Sequence, residues 1–356
     1  MNRIAAFLLR NARSLLALAL LLPLSGCSTT LGPGEQQALA GKTYVIIGAS
    51  SGFGRGVAER LGAQHANVVL AARRTDLLQE VAGRIQSTGG TALVVTTDIS
   101  RPEEVRRLAE SATSRFGHVD VWINDTGVGV ISRFWDAPAD DYSRLIDVNF
   151  KGVVYGSQAA IRLFRTQGYG TLVNLGSIDS EVPLAYQATY AATKAAVLSL
   201  GRSINEELRL DRKRNIHVAT VMPWAVDTPW WRHAANYSGG TPRMGLLDDP
   251  QKIVDAILWV SVHPQEELPV GWRAKTSYYS HRFFPDLTER MSADVAHKYQ
   301  IETAPPAPPT KGSLFEPMAE GRGIDDGVRA RIRRENEARK RGETPPPSDP
   351  SPTSPK

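Results

Sequence analysis

Short runs of β-branched and other apolar residues recur along the first 270 residues and predict buried β-strands. Stretches long enough for a helix separate them, and some repeat apolar residues at helical spacing, as Val57–Leu61 does. Parallel strands need crossover connections, and right-handed crossovers place helices on both faces of a sheet. The pattern therefore predicts an α/β fold with a doubly wound parallel sheet in a single domain. The predicted strands lie near residues 43–47, 67–71, 91–96, 119–123, 171–175 and 216–221, with Glu267–Val270 as a candidate edge strand.

Composition divides the remaining chain. Residues 41–265 carry the strand and helix pattern, and residues 266–302 form a weaker carboxyl-terminal extension. Residues 303–356 are rich in Pro and charge, and too poor in apolar residues to fold alone, so we expect a disordered tail. Within it, Val328–Arg341 is a candidate polar helix; a solvated tail is favoured over docking on an acidic surface.

The amino end predicts export or anchoring. Arg3, Arg10 and Arg13 precede an apolar run that ends at Leu24-Ser-Gly-Cys27 and is too short for a comfortable membrane span. Residues 1–26 are therefore interpreted as a signal peptide or membrane anchor. The last four residues resemble the lipobox of bacterial lipoproteins, which would make Cys27 a lipid-modified first residue on a membrane whose side is open. An uncleaved anchor and a misplaced start codon are the alternatives.

Charge and ligand chemistry narrow the function classes. The formal net charge is +5, and much of the excess lies in the leader and the tail, which argues against nucleic acid as a partner. Cys27 is the only cysteine, so an intramolecular disulfide and thiol catalysis in the core are excluded. The seven histidines show no paired spacing typical of metal ligands, and no metal is expected.

A glycine-rich turn follows the first predicted strand. Gly48, Gly52 and Gly54 stand between the run that ends at Ile47 and the helical pattern of Val57–Leu61. Glycines allow the backbone to turn tightly and to approach a pyrophosphate, and the N–H groups at a helix start attract its charge. Strand, glycine loop and helix in this order favour a dinucleotide site.

Tyr190 and Lys194 are four residues apart, and Ser177 precedes them at the end of the apolar run 171–175. Residues i and i+4 share one face of a helix, so the ammonium can stabilise a phenolate and lower its pKa from about 10. Tyr190 is thus a candidate proton donor and acceptor.

Together these motifs resemble the short-chain dehydrogenase/reductase family over residues 41–265, which implies a Rossmann-like fold. Departures are Ile47 before the glycine loop, Asp125 and Thr126 after Asn124, and Trp224 after Pro223, at positions that bear on cofactor fit and substrate access. The matching positions are Gly48, Ser50, Ser51, Gly52, Phe53 and Gly54 in the cofactor loop, Asp98 as adenine contact, Asn124 in the turn to Gly127, Asn149, Ser177, Tyr190 and Lys194 as catalytic group, and Pro223 and Thr228 at the nicotinamide.

The resemblance implies hydride exchange between a nicotinamide and a carbonyl or alcohol carbon. Tyr190 would pass the proton, Ser177 would hydrogen-bond the substrate oxygen, and Lys194 would tune Tyr190 and hold the nicotinamide ribose. Asn149 would fix a water that links Lys194 to bulk solvent. Structural readings remain for two of them: Ser177 as a cap of a strand end, and Asn149 as a partner of helix backbone.

Charge favours NADP(H), with NAD(H) as the alternative. The second predicted strand ends at Arg73 and Arg74, with no carboxylate where an acidic residue would bind the ribose 2′-hydroxyl of NAD. A guanidinium binds phosphate through paired charge-assisted hydrogen bonds, so Arg73, helped by Arg74 or Arg55, is a candidate clamp for the 2′-phosphate.

The segment after Pro223 is unusually aromatic, with three Trp in Trp224–Trp231 and Tyr237 before Gly239. These rings favour an apolar substrate site, and core packing or an oligomer contact is weighed equally. We therefore predict an NADPH-preferring reductase of a small apolar ketone, aldehyde or alcohol, in a chain that could form homo-oligomers. The alternative is a catalytically silent nucleotide-binding or envelope interaction module.

Export and NADPH dependence are in tension, because an envelope protein meets little NADPH. Three resolutions stay open: an anchor that leaves the domain on the cytoplasmic side, a cofactor that binds before export and stays, and a binding module without turnover.

Overall fold

A computed structural model describes residues 29–343. Its main sheet has seven parallel strands in the order β3-β2-β1-β4-β6-β7-β9, which confirms the predicted doubly wound α/β fold and the edge strand. A short parallel ladder, β5 with β8, stands apart from it. The strands are β1 Thr43–Ile47, β2 Asn67–Ala72, β3 Thr91–Thr96, β4 Val121–Asn124, β5 Val130–Ile131, β6 Gly170–Leu175, β7 Ile216–Pro223, β8 Ala235–Asn236 and β9 Glu267–Val270.

Helices connect successive strands and cover both faces of the sheet. A π-helical turn at Asp147–Lys151 joins α5 to α6, and a second one, Lys298–Glu302, follows α11. A 3₁₀ turn spans Ile178–Ser180. The α-helices are α1 Pro33–Gln37, α2 Gly52–Ala63, α3 Thr75–Ser87, α4 Pro102–Phe116, α5 Ala139–Ile146, α6 Gly152–Gln167, α7 Ala188–Leu210, α8 Trp230–His233, α9 Pro250–Val262, α10 Gly271–Phe283, α11 Pro285–His297 and α12 Val328–Lys340.

The central strands are apolar on both faces because helices bury both. In β1, Tyr44 and Ile46 belong to one core cluster and Val45 and Ile47 to another, as the alternation of side chains along a strand requires. Helices α2, α3 and α9 cover the first cluster, and α4, α6 and α7 cover the second. This two-sided burial fixes where the carboxyl ends of the strands, and hence the loops beyond them, lie.

The predicted disordered tail is wrong for residues 303–343. Residues 304–327, called the strap below, run across the carboxyl edge of the sheet, and helix α12 docks beyond them. The strap has little regular structure, but it bridges to β8: Asn236 and Thr310 exchange both backbone hydrogen bonds, at 2.8 and 3.0 Å. Leu314 of the strap is fully buried in the second core cluster.

Helix α12 docks on the core through a buried ion pair, which the composition of the segment did not predict. Arg243, with no exposed surface, forms an ion pair with Glu335 at 3.2 Å and donates to the Thr303 carbonyl at 2.7 Å. The Asp227 carboxylate accepts from the backbone N–H of Val328 at 2.7 Å, so it satisfies a free donor at the helix start. The helix has a buried stripe at helical spacing, comprising Val328, Ile332, Glu335 and Ala338. The candidate helix is thus confirmed, but it packs on the core instead of being solvated.

The predicted leader, including Cys27, lies outside the described residues and stays a prediction, as do residues 344–356 of the tail. Between residues 29 and 343, no helix has both the length and the apolar character needed to span a bilayer.

We expect Glu335→Ala to loosen α12, because it leaves the buried Arg243 charge without its carboxylate, a loss that typically costs about 3–5 kcal/mol. Trypsin should then cleave at the arginines of α12 at least about tenfold faster, since local opening exposes them. Glu337→Ala, an exposed position on the same helix, is the control. Equal cleavage rates in the two variants would contradict the docking described here.

Candidate active site

The candidate site lies where the strand order reverses, between the carboxyl ends of β1 and β4. In open parallel sheets this is where neighbouring crossovers leave on opposite faces and open a crevice. The crevice here is a cavity of about 730 Å³. It runs from Arg73 and Asp98 at one end, past the glycine loop, to Ser177, Tyr190 and Lys194 at the other. Its length and shape suit an extended ligand.

Close backbone approach explains two of the loop glycines. Gly48 has φ +101°, and a Cβ there would lie 2.3 Å from the Asp125 carbonyl oxygen at the end of β4. A Cβ at Gly54 would lie 2.6 Å from the Gly48 carbonyl oxygen, so Gly54 closes the turn against the helix. Gly54 is not part of the cavity lining, and its predicted cofactor contact stays a prediction. The loop residues that line the cavity are Gly48, Ser50, Ser51, Gly52 and Phe53.

Ser177, Tyr190 and Lys194 converge at the other end. Ser177 follows β6 and caps the 3₁₀ turn, where its hydroxyl accepts from the Asp179 backbone N–H at 3.1 Å. Tyr190 and Lys194 lie on the first turns of α7, on one face of the helix. The buried Lys194 ammonium donates to the Leu175 carbonyl at 2.6 Å, and it lies 5.7 Å from the centre of the Tyr190 ring.

The pKa values of Tyr190 and Lys194 differ from what their spacing in the sequence predicts. Burial, reinforced by the Asp179 charge, raises the pKa of Tyr190 well above its ordinary value, although the Ser177 hydroxyl acts in the opposite direction. Burial lowers the pKa of Lys194 to about 8, against the attraction of Asp125 and Asp179. The expected lowering of the Tyr190 pKa is therefore absent in this structure, and Tyr190 is neutral near pH 7, the form that can donate a proton.

Two acidic residues beside Lys194 have raised pKa values, whereas the pKa of Lys194 is lowered. Burial raises the pKa of Asp125 to about 8 and that of Asp179 to about 7, while the Lys194 charge favours their ionised forms. Both line the cavity. Asp179 had no signal in the sequence beyond its place two residues after Ser177, and no role was predicted for it.

Asn124 and Asn149 do not reach the cavity. The Asn124 amide is fully buried and donates to Asn174 at 2.8 Å, while its oxygen accepts from the Trp122 indole at 2.9 Å. Asn149, in the π-helical turn, accepts from the Val128 N–H at 2.8 Å and donates to the Val128 carbonyl at 2.9 Å. These side chains hold the backbone beside the cavity. The predicted cofactor contact of Asn124 and the predicted water held by Asn149 stay predictions.

The arginines predicted as a phosphate clamp lie at the far end, and both already contact the strap. Arg73 donates to the carbonyls of Ser313 at 2.6 Å and Phe315 at 2.7 Å. Arg74 donates to Ser51 Oγ at 2.6 Å and to the Met318 carbonyl at 3.3 Å. Burial lowers the pKa of Arg74 to about 10, which leaves it charged at neutral pH.

Asp98, at the same end, is paired. Its carboxylate forms an ion pair with Arg144 at 2.8 Å and accepts from Ser100. Burial opposes ionisation, but these two partners hold the pKa of Asp98 below its ordinary value. Asp98 still lines the cavity, as do Pro223 and Thr228 at the opposite end.

The aromatic segment after Pro223 faces the cavity rather than an external surface. Trp224, Trp230 and Trp231 all line it, and the Trp230 ring lies 5.2 Å from that of Tyr190. The indole N–H groups of Trp224 and Trp230 are buried without a hydrogen-bond partner among residues 29–343. Tyr237 is different: its hydroxyl contacts Asp141 outside the cavity. The tryptophan rings therefore give this end of the cavity an apolar wall beside the polar group of Ser177, Tyr190 and Lys194.

Comparison with known proteins agrees with this geometry. The short chain dehydrogenase family matches residues 42–237, more than half of the chain. The chain belongs to this family. An uncharacterized oxidoreductase of Bacillus subtilis (strain 168), YxnA, is 32% identical over 281 residues, covering 78% of this chain and 79% of its own. An uncharacterized oxidoreductase of Staphylococcus aureus (strain N315) is 35% identical over 227 residues, covering 64% of this chain and 94% of its own.

A solved structure is similar as well. The alcohol dehydrogenase of the archaeon Thermococcus sibiricus, complexed with 5-hydroxy-NADP, has a TM-score of 0.56 and 27% identity over 64% of this chain and 94% of its own. The chain is thus an oxidoreductase that acts on CH-OH groups with a nicotinamide cofactor. The residues of the cavity fit a nicotinamide cofactor. The glycine loop after β1 leaves a cradle for it, and Thr126 Oγ1 is buried at the cavity wall without a partner in the described part of the chain.

Asp125→Asn should stabilise the fold increasingly as pH rises. In the unfolded chain an Asp loses its proton near pH 4, whereas folded Asp125 holds it to about 8, so unfolding releases a proton in this window and wild-type stability falls. We expect the difference in free energy of unfolding to widen from pH 4 to 8 and to reach on the order of 1–3 kcal/mol. Urea unfolding of both proteins across this range measures it; a constant difference would contradict the assignment.

Proposed function

We propose that the chain is an NADPH-preferring reductase that converts a small apolar ketone or aldehyde into an alcohol, with the reverse oxidation at the same site. The observation that carries the proposal is the convergence of Ser177, Tyr190 and Lys194 at the tryptophan-lined end of the cavity. A silent nucleotide-binding module would not need these three side chains together.

In the proposed reaction the nicotinamide, when bound, supplies or accepts the hydride. Tyr190 donates its proton to the substrate oxygen, and its raised pKa keeps that proton available at neutral pH. The Ser177 hydroxyl, at the cavity wall, donates a second hydrogen bond to the same oxygen and so stabilises the charge that develops there.

Lys194 acts through charge. Its ammonium is fixed by the Leu175 carbonyl at 2.6 Å, and the nearby Asp125 and Asp179 oppose the lowering of its pKa by burial. In this position it stabilises negative charge on Tyr190 after proton donation and can hold a ribose hydroxyl. Asn149 supports the group indirectly, because it fixes the Val128 backbone at the cavity wall.

The walls support the proposed substrate class. Trp224 and Trp230 present ring surface to the site, and such surface favours an apolar or ring-containing compound.

Cofactor preference is supported by charge. Strand β2 is followed by Arg73 and Arg74, with no carboxylate at the position that would bind a ribose diol. Both guanidiniums line the cavity. The Thermococcus sibiricus enzyme is complexed with an NADP derivative.

Tyr190→Phe should lower kcat at least about 100-fold, since general acid catalysis typically contributes that much or more. NADPH affinity should change little. The assay follows NADPH oxidation with a panel of aromatic and aliphatic aldehydes and ketones. Tyr169→Phe, an exposed tyrosine outside the cavity, is the matched control. Turnover at the wild-type rate in the Tyr190 variant would refute the proposed mechanism.

Arg73→Ala should weaken NADPH binding more than NADH binding. Charge-assisted hydrogen bonds contribute about 1.5–3 kcal/mol, so the selective loss for NADPH should be roughly 10- to 100-fold. Any loss shared by both cofactors reports the contacts of Arg73 with the strap instead. Fluorescence titration measures both constants, with the exposed Arg106→Ala as control. Equal losses would exclude a phosphate clamp at Arg73.

A further inference from the structure

The strap forms a wall of the cavity at the end that holds Arg73 and Asp98. Ser313, Pro317 and Met318 line that end together with the two arginines. This wall was not predicted from the sequence. If the proposed function is right, the adenosine half of the cofactor lies beneath it.

The strap is fastened on both rims of the crevice. On one rim, Arg73 and Arg74 donate to its carbonyls, and the Gly52 N–H donates to the Gly323 carbonyl at 2.9 Å. Arg55 adds a hydrogen bond to the Arg322 carbonyl at 2.8 Å.

On the opposite rim, the strap pairs with β8, and Arg144 donates to the Leu314 carbonyl at 3.0 Å. Arg232 forms an ion pair with Asp326 at 2.9 Å. Leu314, between the two rims, is fully buried and outside the cavity lining, so it serves as an apolar plug for the strap. A segment fastened on both sides of a crevice closes it from above.

We propose that the strap is part of the cofactor site and slows release of the dinucleotide, so that opening of the strap limits the exchange of NADP⁺ for NADPH after each turnover. Most of its polar fastenings use carbonyl oxygens, which leave the arginines charged and able to donate to a phosphate beside them. A cofactor beneath Pro317 and Met318 leaves only when the strap lifts, and lifting breaks the contacts on both rims and exposes Leu314. Release of NADP(H) is therefore much slower than an open crevice would allow. This inference rests on the proposed function.

The test measures release directly. Full-length protein loaded with NADPH is mixed with excess NADP⁺, and the decay of nicotinamide fluorescence gives the dissociation rate. Leu314→Ala removes the apolar plug without touching the cavity lining, and Asp326→Asn weakens the fastening to Arg232 at a milder cost to folding. Leu210→Ala, an exposed leucine on α7, is the matched control.

We expect NADPH release to accelerate at least about tenfold in Leu314→Ala. The stability that a buried leucine typically contributes exceeds the free energy that corresponds to a tenfold change in rate. The rate should rise less in Asp326→Asn and stay unchanged in Leu210→Ala. Equal release rates in all four proteins would overturn the proposal. So would faster association and tighter binding in the two strap variants, because the strap would then obstruct the site. Failure of wild type to bind NADPH would instead refute the cofactor assignment.

Discussion

The contact between the ends of β1 and β4 is the constraint on which the site depends. The strands run parallel, and the chain leaves them towards opposite faces, so a crevice opens at this point. The crevice keeps its shape because Gly48 lies against the Asp125 backbone and Gly54 lies against Gly48, with no room for a side chain at either position. The helix start beyond this turn, the cofactor cradle and the position of Lys194 beside Asp125 all follow from that close approach.

A second constraint is that the carboxyl-terminal segment depends on the core for its hydrogen-bond and ion-pair partners. Its own apolar content is too small for folding, but the core supplies arginines that donate to its backbone carbonyls, and Arg243, which forms an ion pair with Glu335. The segment therefore folds against the core, where Ser313, Pro317 and Met318 line the cavity.

Sequence reasoning succeeded where a local pattern has a single structural consequence. The apolar runs predicted the strands, and the glycine spacing and the Tyr190–Lys194 interval placed both ends of the cavity. It failed where the consequence depends on distant partners. Nothing near Asn124 or Asn149 shows that their amides are consumed by Asn174 and by Val128.

The strap is the clearest case of such dependence. Its proline-rich composition predicts disorder when it is considered alone, and only the folded core brings Arg73, Arg74 and Arg144 to its carbonyls. The pKa of Tyr190 also depends on surroundings that the local pattern does not show. The spacing to Lys194 predicts a lowered pKa, but burial and the nearby Asp179 outweigh that effect and raise it.

The most direct test of the central claim is a crystal structure of the protein with NADP⁺. The account predicts that the nicotinamide lies beside Tyr190 and Ser177, with the 2′-phosphate at Arg73 or Arg74 and the adenosine beneath Pro317 and Met318. A cofactor bound outside the strap, or with its nicotinamide remote from Tyr190, would contradict it.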